Sequence, residues 1–291
     1  MRKLVHTVTD AENGRRLAAI LAGPMGLSRH RISSLKFSGG IRLDGQSAHT
    51  GVPVHAGQLV EIVLTDNPAD LPSYELPLRV PYQDQDLLIV DKPAPLPAIH
   101  SARQSAHTLE NAVYAHLGCP DQFVYRPVSR LDKGTSGLMP VALNAHMHAR
   151  MQRLLHTADY ARVYLAVTEG APVQDAGVCD LPIGHAAGVK RCVDPAGKPC
   201  VTHYQLLRRG DNGRALMRLR LETGRTHQIR VHLAALGCPV AGDYLYGAPL
   251  PQLEGRFALH AAELTFTHPL TGERLSFASP LPPALAALLE K

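Results

Sequence analysis

Arg130-Leu131-Asp132-Lys133-Gly134-Thr135-Ser136-Gly137 is the stretch on which the reading of this chain turns. Asp132 follows the apolar pair Pro127-Val128 and precedes a Gly/Thr/Ser turn that leads into the apolar run Leu138 to Leu143. That pattern puts one carboxylate on a loop entering a strand, where a rigid scaffold tends to hold reactive groups. A plainer role also fits, because aspartate often caps a turn such as Lys133 to Gly137 through its own backbone. Far along the chain, Thr223-Gly224-Arg225-Thr226-His227-Gln228-Ile229-Arg230 offers a basic, amide-bearing segment able to supply a counter-charge.

Outward from these two stretches, periodicity predicts the elements. Ile229, Leu233 and Leu236 mark the buried face of a helix over Thr226 to Gly237, with Gly237 at its end. Helices also begin at His107-Thr108-Leu109, with Leu109, Val113 and Leu117 on one face, and at Asn144, running to Leu155. Paired strands are expected from Arg79 to Asp91. Further strands are expected at Ala161 to Val167, Val201 to Leu207, Ala215 to Glu222, Phe257 to Phe266 and Leu275 to Ala278. Many strands with few helices indicate an α+β fold.

Residues 15 to 66 follow a different pattern: a helix at Arg15 to Leu21, then a second over Leu27 to Lys36 with Ser28 as N-cap and Ile32 and Leu35 on one face. A hairpin follows at Asp44-Gly45, and Val60, Ile62 and Leu64 read as a half-buried strand. The expected order is helix, helix, short twisted sheet. Asp66, Asn67-Pro68, Asp70, Pro72 and Ser73 read as a linker. The domain expectation is therefore 1–66, a linker over 67–76, and 77–291.

At 291 residues with 45% hydrophobic content, the chain accommodates one small and one large domain with ordinary cores. No run approaches the ~18 apolar residues of a membrane span, and Met1 to Asp10 lacks the apolar core of a secretory signal, so a cytoplasmic location is expected. The five cysteines form no Cys-x-x-Cys pair, which predicts reduced thiols. Among 16 histidines none forms His-Glu-x-x-His, so no metal is expected, and His227 reads instead as a hydrogen-bonding wall of the site. The net charge of +5 comes from 23 Arg and 7 Lys against 25 acidic residues. Arginine grips phosphate bidentately and stacks on bases, which suits RNA, although a solvated arginine-rich surface would carry the same charge.

The two quoted stretches, with Arg162-Val163-Tyr164-Leu165-Ala166 between them, resemble the RluA-type pseudouridine synthases. That family's pattern runs His-Arg-Leu-Asp-x-x-Thr-Ser-Gly, then Lys-x-Tyr-x-Ala, then Thr-Gly-Arg-x-His-Gln-Ile-Arg-Val-His. The likeness continues through Gly237 to Asp243, Tyr246-Gly247, Leu259-His260-Ala261 and His268 to Glu273, and covers residues 77 to 291. Several motifs in the right order are far more specific than one. Residues 15 to 66 resemble the S4 RNA-binding domain, with Arg29, Arg31, Lys36 and Arg42 in the RNA-binding region. Ser129 stands where the family usually has histidine, Arg162 where it has lysine, and Pro95, after Lys92-Pro93, where it has glycine.

The resemblance implies a small S4-like αα-β domain ahead of a long, bent, mostly antiparallel sheet with flanking helices and an RNA cleft. It implies isomerisation of uridine to pseudouridine in structured RNA, with no cofactor: the C1′–N1 bond breaks, the base turns, and C5 bonds to C1′. Asp132 would act at C1′, either by covalent addition or by charge stabilisation while C2′ loses a proton. Arg230 would keep that carboxylate ionised in a dry pocket. Tyr164 would stack on the base and assist the C5 proton, and Arg130 would displace the target nucleotide into the pocket. Arg225, Thr226, His227 and Gln228 would meet phosphate or base. Large-subunit ribosomal RNA is the favoured substrate, with transfer RNA the alternative, and the protein is expected to act as a monomer without an obligate protein partner. A non-catalytic RNA-binding or ribosome-assembly factor is the reading from a different class. A hydrolase pairing Asp132 with a histidine lacks any nucleophile-elbow or metal pattern.

Overall fold

The chain divides into two units, Met1–Pro68 and Ala69–Lys291. The computed structural model describes residues 2–27, 32, 35–36, 40–64, 71–101 and 104–290. In the first unit, β1 (Arg2–Thr7), β2 (Ile41–Leu43), β3 (Gln46–Ser47) and β4 (Leu59–Leu64) form a four-stranded antiparallel sheet, ordered β1-β4-β2-β3, and α1 spans Leu17–Ala22. Asp44 and Gly45 both adopt positive φ, 49° and 80°, the geometry of the primed turns that join tight hairpins. Leu17, Ile20 and Leu21 of α1 bury against Ile41, Val60 and Ile62 of the sheet, joined by Ile32 and Leu35.

The expected first helix is present as α1, and one strand was not anticipated: β1 shows little alternation and is made a strand by pairing along β4, from Arg2 opposite Leu64 to Thr7 opposite Leu59. Of the expected second helix, Ile32, Leu35 and Lys36 are helical, while Ser28, Arg29 and Arg31 lie outside the described residues. The linker's Asp66, Asn67-Pro68 and Asp70 lie outside them too.

The second unit is mixed α+β, mostly sheet with few helices. Its elements are β5 (Arg79–Gln83), β6 (Leu87–Lys92), α2 (Leu109–His116), β7 (Ser136–Ala142), α3 (Ala145–Leu154), β8 (Tyr160–Thr168), β9 (Ala176–Cys179), β10 (Ile183–His185), β11 (Arg191–Val193), β12 (Thr202–Arg209), β13 (Ala215–Leu221), α4 (Gln228–Ala235), β14 (Leu259–Thr267), β15 (Arg274–Ala278) and α5 (Pro283–Ala286). Nine described strands build one sheet in the order β5-β6-β7-β14-β8-β13-β12-β9, with β15 beside β14. Every pairing in it is antiparallel except β7 with β14. The strands β9, β10 and β11 were not anticipated; they are short and carry exposed apolar residues such as Val178 and Val193, which hides their period.

Strands β6 and β7 explain their own composition. Leu88 and Val90 of β6 join Met139 and Val141 of β7 in a core that includes Leu109 and Val113 of α2. Leu87 and Ile89 join Leu138 and Ala142 in a second core with Met147 and Met151 of α3. A strand covered on both faces needs apolar residues at consecutive positions, as these runs have. The capped starts of the two helices fix how they meet the sheet: the Thr108 hydroxyl accepts from Asn111 N, and Asn144 Oδ1 accepts from Met147 N.

Candidate active site

Asp132 reaches its position through backbone geometry. Residues Arg126 to Val128 run beside β7, with Val128 N donating to Pro140 O at 2.9 Å and Ala142 N to Arg126 O at 2.9 Å. The chain between them therefore returns in a tight loop, closed by Thr135 N donating to the Asp132 carbonyl at 3.1 Å. The turn takes the backbone of Asp132 and leaves its carboxylate for other partners. At the start of β7, Gly137 has φ 112° and lies against the backbone of Ala261 in the parallel β14, so a side chain there would meet both strain and overlap. From inside, Lys92 on β6 is fully buried and its ammonium donates to Leu96 O (2.8 Å), Pro93 O (3.0 Å) and Lys133 O (3.4 Å). Burial pushes the Lys92 pKa down to about 7, opposed by the Asp132 carboxylate.

Arg230 lies on α4 and is 2% exposed. Its Nε and Nη2 donate to the two oxygens of Asp243 at 2.6 and 2.8 Å, and its Nη1 donates to Asp132 Oδ2 at 2.9 Å. Asp243, itself fully buried, also accepts from Leu245 N and Tyr246 N. The guanidinium carbon sits 4.2 Å from the Phe257 ring centre and 5.1 Å from that of Tyr246. Burial works against the Arg230 cation, but the hydrogen-bonded carboxylates prevail and raise its pKa. The fork is thus clamped on one side so that an N–H of Nη1 points at Asp132. The contacts described for Asp132 fall on Oδ2.

A cavity of about 430 Å³ opens at this carboxylate, lined by Asp132, Tyr164, Arg230, His227, Arg162 and Ser129 among others. Tyr164 comes from β8 and is 7% exposed; burial raises its pKa, with Arg162 opposing and Asp132 reinforcing the shift. Arg162, two residues earlier on the same strand, holds a buried Nε that has no hydrogen-bond partner. Gly224 leaves space for its guanidinium, since a Cβ there would stand 3.0 Å from Nη1.

The remaining expected contacts divide. Arg130 and Arg225 line the cavity with exposed side chains, and Arg225 Nε donates to Pro199 O. Thr226 is exposed and absent from the cavity lining. Gln228 lines the cavity but braces the protein: its Oε1 accepts from Thr223 Oγ1 and Arg225 N, and its Nε2 donates to Val201 O and Thr202 Oγ1. Those bonds engage the amide at both ends and hold the turn ahead of α4. His227 caps α4 in the left-handed conformation, φ 58°, and its Nε2 stands 3.8 Å from Asp132 Oδ2. Lys36 and Arg42 belong to the first unit, where both are exposed. Among the described residues no three His, Cys, Asp or Glu side chains converge as a metal site, and no helix is long and apolar enough to cross a membrane.

Sequence reasoning passed over Lys92, Asp243, Tyr246 and Phe257 as parts of the site. The Gly242-Asp243 and Tyr246-Gly247 pairs fall within matched motifs, which was the available signal. An arginine-rimmed cavity around one carboxylate, set on a mixed sheet, suits an enzyme that takes in a nucleotide of RNA. Comparison with known proteins agrees in detail: a family model for RNA pseudouridylate synthases matches residues 86–235. The ribosomal large subunit pseudouridine synthase D of Xanthomonas campestris is 37% identical over 97% of this chain and 90% of its own length. An uncharacterized RNA pseudouridine synthase of Bacillus subtilis is 33% identical over 92% and 96%. In the solved structure of human RNA pseudouridylate synthase domain containing 1, the match has a TM-score of 0.58 and 27% identity, covering 74% of this chain and 88% of that one. The chain belongs to the RNA pseudouridylate synthase family and is an isomerase that modifies RNA.

Proposed function

We propose that this isomerase converts uridines of 23S ribosomal RNA to pseudouridine, with Asp132 as the catalytic carboxylate, Arg230 as its fixed counter-charge and Tyr164 against the target base. The observation that carries this reading is the clamped Arg230, which holds one oxygen of Asp132 at 2.9 Å beside a cavity of nucleotide-binding size. Oδ2 is held by that contact, and Oδ1 works at the sugar, either bonding to C1′ or assisting as C2′ loses its proton. In both routes the C1′–N1 bond breaks and C5 takes its place. The C5 hydrogen then leaves as a proton and N1 gains one, so nothing is oxidised. Tyr164 retains a neutral hydroxyl because burial disfavours its anion, which suits handing a proton between C5 and solvent. Arg130 and Arg162 meet the RNA strand at the rim and wall. The first unit serves as an S4-like RNA-binding module with Lys36 and Arg42 on its exposed surface. The names of relatives that act on the large ribosomal subunit favour ribosomal over transfer RNA.

Tritium release from RNA labelled at uridine C5 tests the reading. The wild-type protein should release tritium from 23S RNA transcripts and far less from transfer RNA, and Asp132→Asn should release none. Equal release by Asp132→Asn would remove the catalytic role from Asp132, and preferential release from transfer RNA would reassign the substrate.

A further inference from the structure

We infer that His227 is a positioning residue for Asp132, held as the neutral tautomer with its proton on Nε2 by a hydrogen-bond chain that begins in the β10–β11 hairpin. The inference rests on the reading of Asp132 as the catalytic carboxylate. It starts with Tyr246, whose hydroxyl oxygen accepts from the backbone N–H of Arg191 in β11 at 2.8 Å. The same hydroxyl stands 2.9 Å from His227 Nδ1. With the Arg191 amide already donating to the oxygen, the hydroxyl hydrogen is free to point at Nδ1, its acceptor among the described residues. Nδ1 then carries no hydrogen, and in a neutral imidazole the proton must sit on Nε2.

Nε2 faces Asp132 Oδ2 at 3.8 Å. A carboxylate favours a hydrogen there and disfavours a lone pair, so both ends of the ring select the same tautomer. The separation is longer than a hydrogen bond, as is common in sites that tighten around substrate. The charged groups around the ring are Asp132 and Asp243, which favour a second proton, and Arg230 and Arg191, which oppose it. Burial, the largest effect, opposes it too and lowers the His227 pKa. The ring packs edge-on against Tyr246 with centroids 5.7 Å apart, leaving it little freedom to flip. The backbone adds a constraint of its own, because a left-handed φ of 58° fixes where the Cα–Cβ bond points.

His227 and Arg230 would therefore hold Oδ2 from two sides and present Oδ1 to the sugar. A histidine whose Nε2 carried no hydrogen would repel that oxygen instead. The hairpin matters because its backbone amide, through Tyr246, decides which nitrogen is protonated. Ile183 and Cys200 pack on Val231 of α4, with Tyr246 against them, so the hairpin and the catalytic helix form one packed cluster.

Two amide isosteres separate this role from a merely structural one. Glutamine places an N–H donor where Nε2 stands, while asparagine places one where Nδ1 stands. Asparagine tolerates the left-handed backbone better than glutamine does, so strain alone would favour His227→Asn. We expect single-turnover tritium release at saturating RNA to fall on the order of 10²-fold in His227→Asn, the scale of one well-placed donor, and to recover to within about 5-fold of wild type in His227→Gln. RNA affinity should be nearly the same in both. In ¹⁵N-histidine spectra of the wild-type protein at neutral pH, His227 should show the Nε2–H pattern. Equal rates for the two variants, or an Nδ1–H or doubly protonated ring, would overturn the assignment. Asp132→Asn measured in parallel tells this failure from a failure of the catalytic reading, which would show as activity retained in Asp132→Asn.

Discussion

Arg230 concentrates the electrostatics of the site in one side chain. Its planar fork satisfies Asp243 through two donors and still directs a third to Asp132, which a point charge on a flexible stem cannot do. Arg230→Lys should therefore keep the positive charge yet lower the single-turnover rate by roughly 10²-fold, the scale for losing one preorganised contact. Arg230→Met should do more, because Asp243 is left buried without its ion-pair partner. A loss of ~3–5 kcal/mol in unfolding free energy, read by chemical denaturation, is expected for that variant. Lys92 predicts a pH dependence. The unfolded chain keeps this proton up to about 10.5, whereas the folded one releases it near 7, so between those values the unfolded state binds more protons and folding stability rises with pH. Stability of wild type relative to Lys92→Met should grow from pH 7 to pH 9.5; a flat difference would show that the group titrates alike in both states. The turn at Asp132 could be read from sequence because turn chemistry is local, and the family motif singled out its carboxylate, whereas the pairing of Asp243 with Arg230 could not be read because the partner lies on a helix that only the fold brings near.

Between residues and molecule, the β7 loop shows how an element places the Asp132 carboxylate. Gly137 combines a positive φ with close approach to the Ala261 backbone, and Gly134 faces the Phe257 ring, where a Cβ would stand 2.6 Å from the nearest atom. Gly137→Ala should cost ~2–4 kcal/mol, since strain and backbone overlap add and neither can relax independently. Its denaturation midpoint checks this. Gly134→Ala should be milder in stability, because a ring can turn aside, but it moves Phe257 off the Arg230 guanidinium and should lower turnover. The helices α2 and α3 were readable from period and capping, each turning one face to a single core, and the strands β5 to β8 from apolar runs that serve two cores. The strands β1 and β9 to β11 were not, because short or edge strands owe their geometry to a neighbour and carry little period of their own.

For the whole molecule, RNA affinity and chemistry should separate. If the first unit docks RNA through phosphate contacts, Lys36→Ala and Arg42→Ala together should weaken binding and reduce the slope of log affinity against log salt by about 2, leaving the rate at saturating RNA near wild type. A titration at several salt concentrations measures it. The amino-acid sequence by itself determined the mixed α+β class, the turn at Asp132 and the family, because turn signals, periodicity and motif order are properties of neighbouring residues. Only the tertiary structure decided that Arg230 is clamped by Asp243, that Gln228 braces a turn, that Lys92 holds the loop from within, and that the hairpin reaches Asp132 through Tyr246 and His227. Most of these contacts join residues well separated in the chain, and the partner in each is chosen by how sheet and helix pack, which no local pattern encodes.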